Sequence, residues 1–311
     1  ARIGAATGMP QNPGKTFLSI GECMVELSGG HGGLFSMGFA GDTLHTAWYA
    51  RAALPENWEV AYFTAVGDDR YSKAMKTFLE SGGISTRLVQ TIPGKRPGLY
   101  IIHQESGDRH FTYWRENSAA RLLADDAELL LQAVSQADAI YVSGITLAIL
   151  KPARRNELIS VMEGARDDGR LVAFDPNIRP ALWPDVNDMR SSIMLAASAS
   201  SIVLPTFSDE APFFGDRPAE QTVKRYLDAG AREIVVKDGP NPVHVSTGRN
   251  SLFVSVEEVD NIVDATGAGD AFNGAYLAAR LQGSSPEIAT RAGARMAAKV
   301  IHHQGALIPR G

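Results

Sequence analysis

The chain has 311 residues, 44% of them hydrophobic and 21% charged, with a formal net charge of −5 at pH 7. That length and balance support a sizeable buried core without disulfides or structural metal, and exclude disorder over most of the chain. The mild acidity lacks the positive footprint of a general nucleic-acid binder, and no stretch approaches the roughly 18 apolar residues of a membrane helix.

The single cysteine, Cys23, lies in an apolar run and reads as a buried thiol. With no intramolecular disulfide possible and no signal-peptide layout at the start, the chain reads as cytoplasmic. Residues 1–15, rich in Gly, Ala and Pro, read as a loose leader.

Structure is expected from Thr16, where Phe17 to Gly21 form a short apolar strand. Residues 22–40 alternate weakly and are broken by glycines, which predicts strands and turns. Gly41-Asp42-Thr43 opens a helix to about Ala53, with Asp42 or Thr43 as its cap. A buried strand at Val60–Gly67 precedes a helix from about Asp69 to Ser81, ended by Gly82-Gly83. Leu99–His103 and Arg109–Trp114 are β-rich, and Glu105-Ser106-Gly107-Asp108 between them is a turn signal, so a hairpin is predicted. The pieces 22–40 and 94–115 are expected to pair into one small sheet, a lid over the end of a larger one. From about residue 125, strands at 139–144, 171–175, 201–204 and 233–237 alternate with helices, and the last helices span about 270–281 and 286–302. Continuous apolar strands alternating with helices predict an α/β fold, a three-layer α/β/α domain with a mostly parallel central sheet.

The strongest chemical signal is Val263-Asp264-Ala265-Thr266-Gly267-Ala268-Gly269-Asp270-Ala271-Phe272. Gly267 and Gly269 permit a sharp turn and close approach of backbone to a ligand. The free N–H groups of the following helix make an anion site. The same pattern also suits a plain βα turn whose Asp complements the helix dipole.

That segment resembles the C-terminal signature of the ribokinase-like (PfkB) sugar kinases, and other motifs fall in the family's order. Gly41-Asp42-Thr43-Leu44-His45-Thr46-Ala47 is similar to the N-terminal glycine motif, and Val66-Gly67-Asp68-Asp69 to the glycine–aspartate turn. Asp175-Pro176-Asn177-Ile178-Arg179-Pro180 and Leu204-Pro205-Thr206-Phe207-Ser208-Asp209-Glu210 sit where the central segments belong. The resemblance covers about residues 16 to 310 and implies one kinase domain over 16–311. Gly21–Leu27, Arg96–Tyr100, Phe111–Arg115, Tyr141–Ile145 and Gly305–Arg310 look most like the branch that acts on 2-keto-3-deoxygluconate.

The resemblance implies roles. Asp270 would be the general base, and the Gly267-Ala268-Gly269 amides would hold charge on the transferred phosphoryl group. Gly41 and Asp42 would contact sugar hydroxyls, as would Tyr100 and Tyr113. Arg115 and Arg179 would grip the carboxylate of a sugar acid. Lys237, Gly239 and Thr206 would lie beside ATP. Thr206 and Asp209 replace the family's common Asn and Glu, and Mg²⁺ would be held chiefly by ATP and water, with no protein ligand assigned. Two positions depart from the pattern of the glycine motif: Ala40-Gly41 replaces a Gly-Gly pair, and His45 replaces an Asn. Adjacent His302 and His303 do not share a helix face and read as structural.

The implied partners are a small sugar acid and ATP, with no nucleic acid or membrane, and a homo-oligomer through the lid. Rival readings are a kinase for a neutral ketose or another keto-deoxy acid, or a binding protein that kept the fold without catalysis. A Rossmann dehydrogenase is a weaker rival, because Gly267-Ala268-Gly269 lacks the third glycine and lies far from the first strand.

Overall fold

Runs of consecutive apolar residues become strands buried on both faces, and the two faces divide the core. Phe17, Tyr62 and Tyr141 point to one side, while Leu18, Phe63 and Ile140 point to the other, as the period of two along each strand requires. The computed structural model describes residues 14–29, 33–105, 108–256 and 259–309. Most of the leader and the predicted turn residues Ser106 and Gly107 lie outside the described residues.

In chain order the strands are β1 (Thr16–Ile20), β2 (Met24–Gly29), β3 (Phe35–Ala40), β4 (Glu59–Val66), β5 (Val89–Thr91), β6 (Leu99–Glu105), β7 (Asp108–Trp114), β8 (Ala139–Ser143), β9 (Leu171–Asp175), β10 (Ile202–Val203), β11 (Glu233–Val236), β12 (Val243–Ser246) and β13 (Ser251–Val254). The helices are α1 (Asp42–Ala53), α2 (Arg70–Ser81), α3 (Ala127–Ser135), α4 (Gly144–Ile149), α5 (Pro152–Asp167), α6 (Val186–Ser198), α7 (Phe207–Phe214), α8 (Ala219–Asp228), α9 (Ala268–Leu281) and α10 (Pro286–Ile301).

Among the described residues the large sheet has the order β13-β12-β11-β10-β9-β8-β1-β4-β5. It is parallel from β5 to β11, and β12 and β13 add an antiparallel edge. That edge hairpin has four-residue strands, too short for alternation to mark it in the sequence. The smaller sheet has the order β3-β2-β6-β7 and joins the two β-rich segments through the parallel pair β2–β6. Its register puts Glu26, Tyr100 and Tyr113 in one row, with Phe35, Met37 and Trp114 on the opposite face. No helix among the described residues is long and apolar enough to cross a membrane.

The sheet order reverses direction between β1 and β8, where open α/β sheets leave a crevice at the carboxyl ends of the strands. Helices α1 and α9 pack together on one face beside it. Their approach is set by Gly274, where an added Cβ would fall 2.6 Å from the Thr46 carbonyl oxygen and 2.8 Å from the Ala50 amide nitrogen. Both obstacles are backbone, so the helices must part to admit a methyl group. Gly274→Ala is expected to destabilise the fold by roughly 1–3 kcal/mol, the usual range for overpacking. Urea denaturation would measure it, and an unchanged midpoint would mean the helices are not held this close.

Candidate active site

Three polar side chains meet where parallel strands end. Asp175 is the last residue of β9, Lys237 follows β11, and Asn273 lies in α9. Lys237 Nζ donates to Asp175 Oδ2 at 2.8 Å and to Asn273 Oδ1 at 2.9 Å. The Asn273 amide donates to Asp175 Oδ2 at 2.6 Å and to the Tyr141 hydroxyl at 3.2 Å. All four are buried. A buried ammonium needs such a partner, so Lys237 is not a solvated strand-end charge. Its Nζ lies directly beneath the glycine loop, 3.7 Å from where a Cβ on Gly269 would sit. Thr206 bridges to Lys237 through the backbone, whereas Gly239 occupies the next turn with a left-handed φ of 57°.

The loop itself is anchored at both ends. Asp264 accepts from the Thr266 amide at 3.0 Å and from the Gly305 amide at 2.9 Å. Gly267 caps α9 with a left-handed φ of 76°, and a Cβ there would strike that of Ala306 at 2.7 Å. The amides of Gly269 and Asp270, in the first turn of α9, have no acceptor within the helix. They are donors available to an anion.

Asp270 is the third residue of α9. Its Oδ2 lies 2.9 Å from Nδ1 of His45, and the Gly41 amide donates to the other ring nitrogen, Nε2, at 3.3 Å. Burial pushes the Asp270 carboxyl up from 3.8 to about 6, and the carboxylates of Asp42 and Asp175 add to the rise, while the His45 hydrogen bond opposes it. A carboxylate of this kind, 14% exposed, can accept a proton near neutral pH.

Helix α1 begins differently from the sequence reading. Its N-cap is Gly41, not Asp42 or Thr43. Only glycine fits there, since a Cβ would fall 2.3 Å from the Glu22 carbonyl oxygen. Asp42 is left to accept from the Thr43 amide and, at 2.8 Å, from the side-chain amide of Asn177. Asn177 takes a left-handed φ of 33°, turning the chain after β9 so that its amide meets Asp42.

The two arginines differ. Arg115 is buried against Glu22, with Arg115 Nε and Glu22 Oε1 left without hydrogen-bond partners. Arg179 is half exposed and donates to Asp209 at 3.1 Å. Burial works against its charge, but the carboxylates of Asp209, Asp42 and Asp175 hold its pKa above the usual value. Tyr100 donates to Glu26, and burial followed by that carboxylate keeps its phenol protonated far above neutral pH. The Tyr113 ring lies 5.5 Å from that of Tyr100 and 5.8 Å from the Arg115 guanidinium.

Sequence reasoning did not assign Asp175, Asn177, Asn273, Asp264 or Glu22. A signal existed for Asn273, which lies three residues after Asp270 on the same helix face. Asp175 ends a strand, where parallel sheets bind ligands. Nothing local marks the partnership of Glu22 with Arg115, which are 93 residues apart.

Residues 16–310 match the family described as pfkB family carbohydrate kinase. The chain is 39% identical over 302 residues to the 2-dehydro-3-deoxygluconokinase of Dickeya dadantii (strain 3937), covering 95% of this chain and 97% of that one. It is 38% identical over 304 residues to the 2-dehydro-3-deoxygluconokinase of Escherichia coli (strain K12), covering 95% and 98%. The crystal structure of a PfkB protein from Polaromonas sp. JS666 superposes with a TM-score of 0.80 at 26% identity, over 93% of this chain and 96% of that one.

The raised carboxyl of Asp270 has a consequence for stability. The folded protein binds this proton more tightly than the unfolded chain, so the stability it supplies is complete below about pH 4 and is lost as pH rises through about 6. Asp270→Asn removes that loss. Its advantage over the wild type in unfolding free energy should widen by about 2–3 kcal/mol between pH 4 and pH 7. Urea titrations at the two pH values give the difference, and a gap that does not change with pH would show an ordinary carboxyl.

Proposed function

The chain belongs to the pfkB family of carbohydrate kinases, and on that premise we propose that it transfers the γ-phosphoryl group of ATP to the terminal hydroxyl of 2-dehydro-3-deoxygluconate (2-keto-3-deoxygluconate). The products are the 6-phosphate and ADP. Full-length likeness to kinases of that sugar acid carries the reading. Arg179 and the Asp270 carboxylate supply its chemistry.

Asp270 is the base. Its free Oδ1 takes the proton of the terminal hydroxyl as that oxygen attacks the γ-phosphorus; the bond from the γ-phosphorus to the β–γ bridging oxygen breaks and ADP leaves. The amides of the Gly267-Ala268-Gly269 segment and of Asp270 receive charge on the phosphoryl oxygens, with Lys237 beneath. The space above Gly269 is open, since a Cβ there would meet only Lys237 Nζ, at 3.7 Å. Thr206 and Gly239 flank the nucleotide. Mg²⁺, held chiefly by ATP and water with no protein ligand assigned, would spread the phosphate charge. Glu210 is buried and held by Arg225 and Tyr226, which suits a structural role better than a metal ligand.

Asp42 and Gly41 at the start of α1, with Tyr100 and Tyr113 above, meet the sugar hydroxyls. The four-stranded sheet serves as a lid that closes over the sugar and excludes water. Its opposite face exposes Phe35, Met37 and Trp114, which suits a second copy of the chain. A cytoplasmic setting agrees with its single, buried cysteine.

Arg179, half exposed and paired with Asp209, is the arginine placed to turn to the carboxylate, since Arg115 is buried against Glu22. The test is steady-state kinetics with Mg²⁺ and ATP on the sugar acid, fructose and ribose. The acid should have the highest kcat/KM. Arg179→Ala should raise its KM by about 10–150-fold, the equivalent of one charge-assisted hydrogen bond, with little change in KM for ATP. A higher kcat/KM for fructose would overturn the sugar-acid reading.

A further inference from the structure

His45 is held at both ring nitrogens. The Gly41 N–H points at Nε2 and can only donate, so Nε2 carries no proton and the neutral ring keeps its single proton on Nδ1. That proton is aimed at Asp270 Oδ2, 2.9 Å away. The ring is folded back over the start of its own helix, whose first backbone bond runs from the His45 amide to the Gly41 carbonyl. It is 5% exposed, so it is a buried group rather than a sugar contact.

The neighbours show why the bond matters. Asp42, Asp175 and Asp270 face one another across α1, the end of β9 and the start of α9. Asp175 is answered by Lys237 and Asn273, and Asp42 by Asn177 and the Thr43 amide. Arg179 faces the same cluster but donates to Asp209, and the Tyr141 hydroxyl accepts from Asn273. Among the described residues Asp270 has one side-chain partner, His45.

We propose that His45 is a positioning residue for phosphoryl transfer: its Nδ1–H holds Oδ2 of Asp270, keeps the carboxylate ionised among its acidic neighbours, and leaves Oδ1 to take the sugar proton. This rests on Asp270 being the base. The histidine moves no proton itself. It makes one carboxylate oxygen a fixed acceptor and the other the reactive one.

The test is the pH profile of kcat/KM in His45→Leu and His45→Asn. Leucine fills the site and donates nothing. Losing a hydrogen bond to a charged group should move the acid limb of the profile up by about one to two pH units. The Asn amide can place an N–H close to the position of Nδ1 and should bring the limb back toward that of the wild type. Imidazole ¹⁵N shifts of the wild-type protein, which do not depend on any variant folding, should show His45 as the Nδ1–H tautomer at pH 8. An unmoved acid limb in folded His45→Leu, or an Nε2–H tautomer in the wild type, overturns the proposal. Asp270→Asn measured alongside separates the two ideas. If it stays active, the base assignment fails; if it is inactive while His45→Leu keeps the wild-type limb, only the role of His45 fails.

Discussion

The contact of α1 with α9 at Gly274 is the constraint on which the site depends. The glycine lets two helix backbones touch, and one turn earlier in α9 the same closeness brings Asp270 to His45. Thr46 reinforces it by donating to the Asp270 carbonyl at 3.3 Å. Helix α1 carries Asp42 and α9 carries Asp270, so in the proposed reaction this packing distance would set the gap across which the hydroxyl meets the phosphorus. Positioning of this kind supplies much of the rate in phosphoryl transfer, where the protein forms no covalent bond of its own.

The second feature is how many charges the interior holds and how each is answered. Lys237 pairs with Asp175, Arg115 with Glu22, and Arg225 with Glu210 and Asp216. Breaking one partner of such a pair costs more than the pair contributes, because the other charge stays buried. Asp270 differs from these: its one side-chain partner among the described residues is His45, and burial raises its carboxyl to about 6. In the proposed mechanism the stability given up there suits Asp270 to act as a base near neutral pH, in keeping with the way active sites trade stability for reactivity.

Much of this was legible in the sequence. The strand runs at 139–144, 171–175 and 233–237 gave a parallel sheet because each is apolar on both faces, and the glycine pair before Asp270 marked the start of α9. The edge hairpin β12–β13 was not legible, its strands being too short to show a period. Lys237 was placed beside ATP by resemblance, but its partners Asp175 and Asn273 were not legible, being distant in sequence and meeting only when the sheet forms. Asp42 looked like a helix cap because its residue type suits one. The fold instead puts Gly41 at the cap, against the Glu22 carbonyl, and frees Asp42 to face Asn177. His45 stood out in the sequence only as a departure from a motif, and its bond to Asp270 across 225 residues belongs to the packing of α1 on α9.

The most direct measurement is single-turnover phosphoryl transfer in Asp270→Asn, with enzyme in excess over ATP and the sugar acid saturating. An Asn cannot accept the hydroxyl proton, so the rate of ADP formation should fall by about 10²-fold or more, while ATP affinity stays near that of the wild type. Near-normal transfer in the folded variant would contradict the account, because the carboxylate held between α1 and α9 would then not be the group that takes the proton.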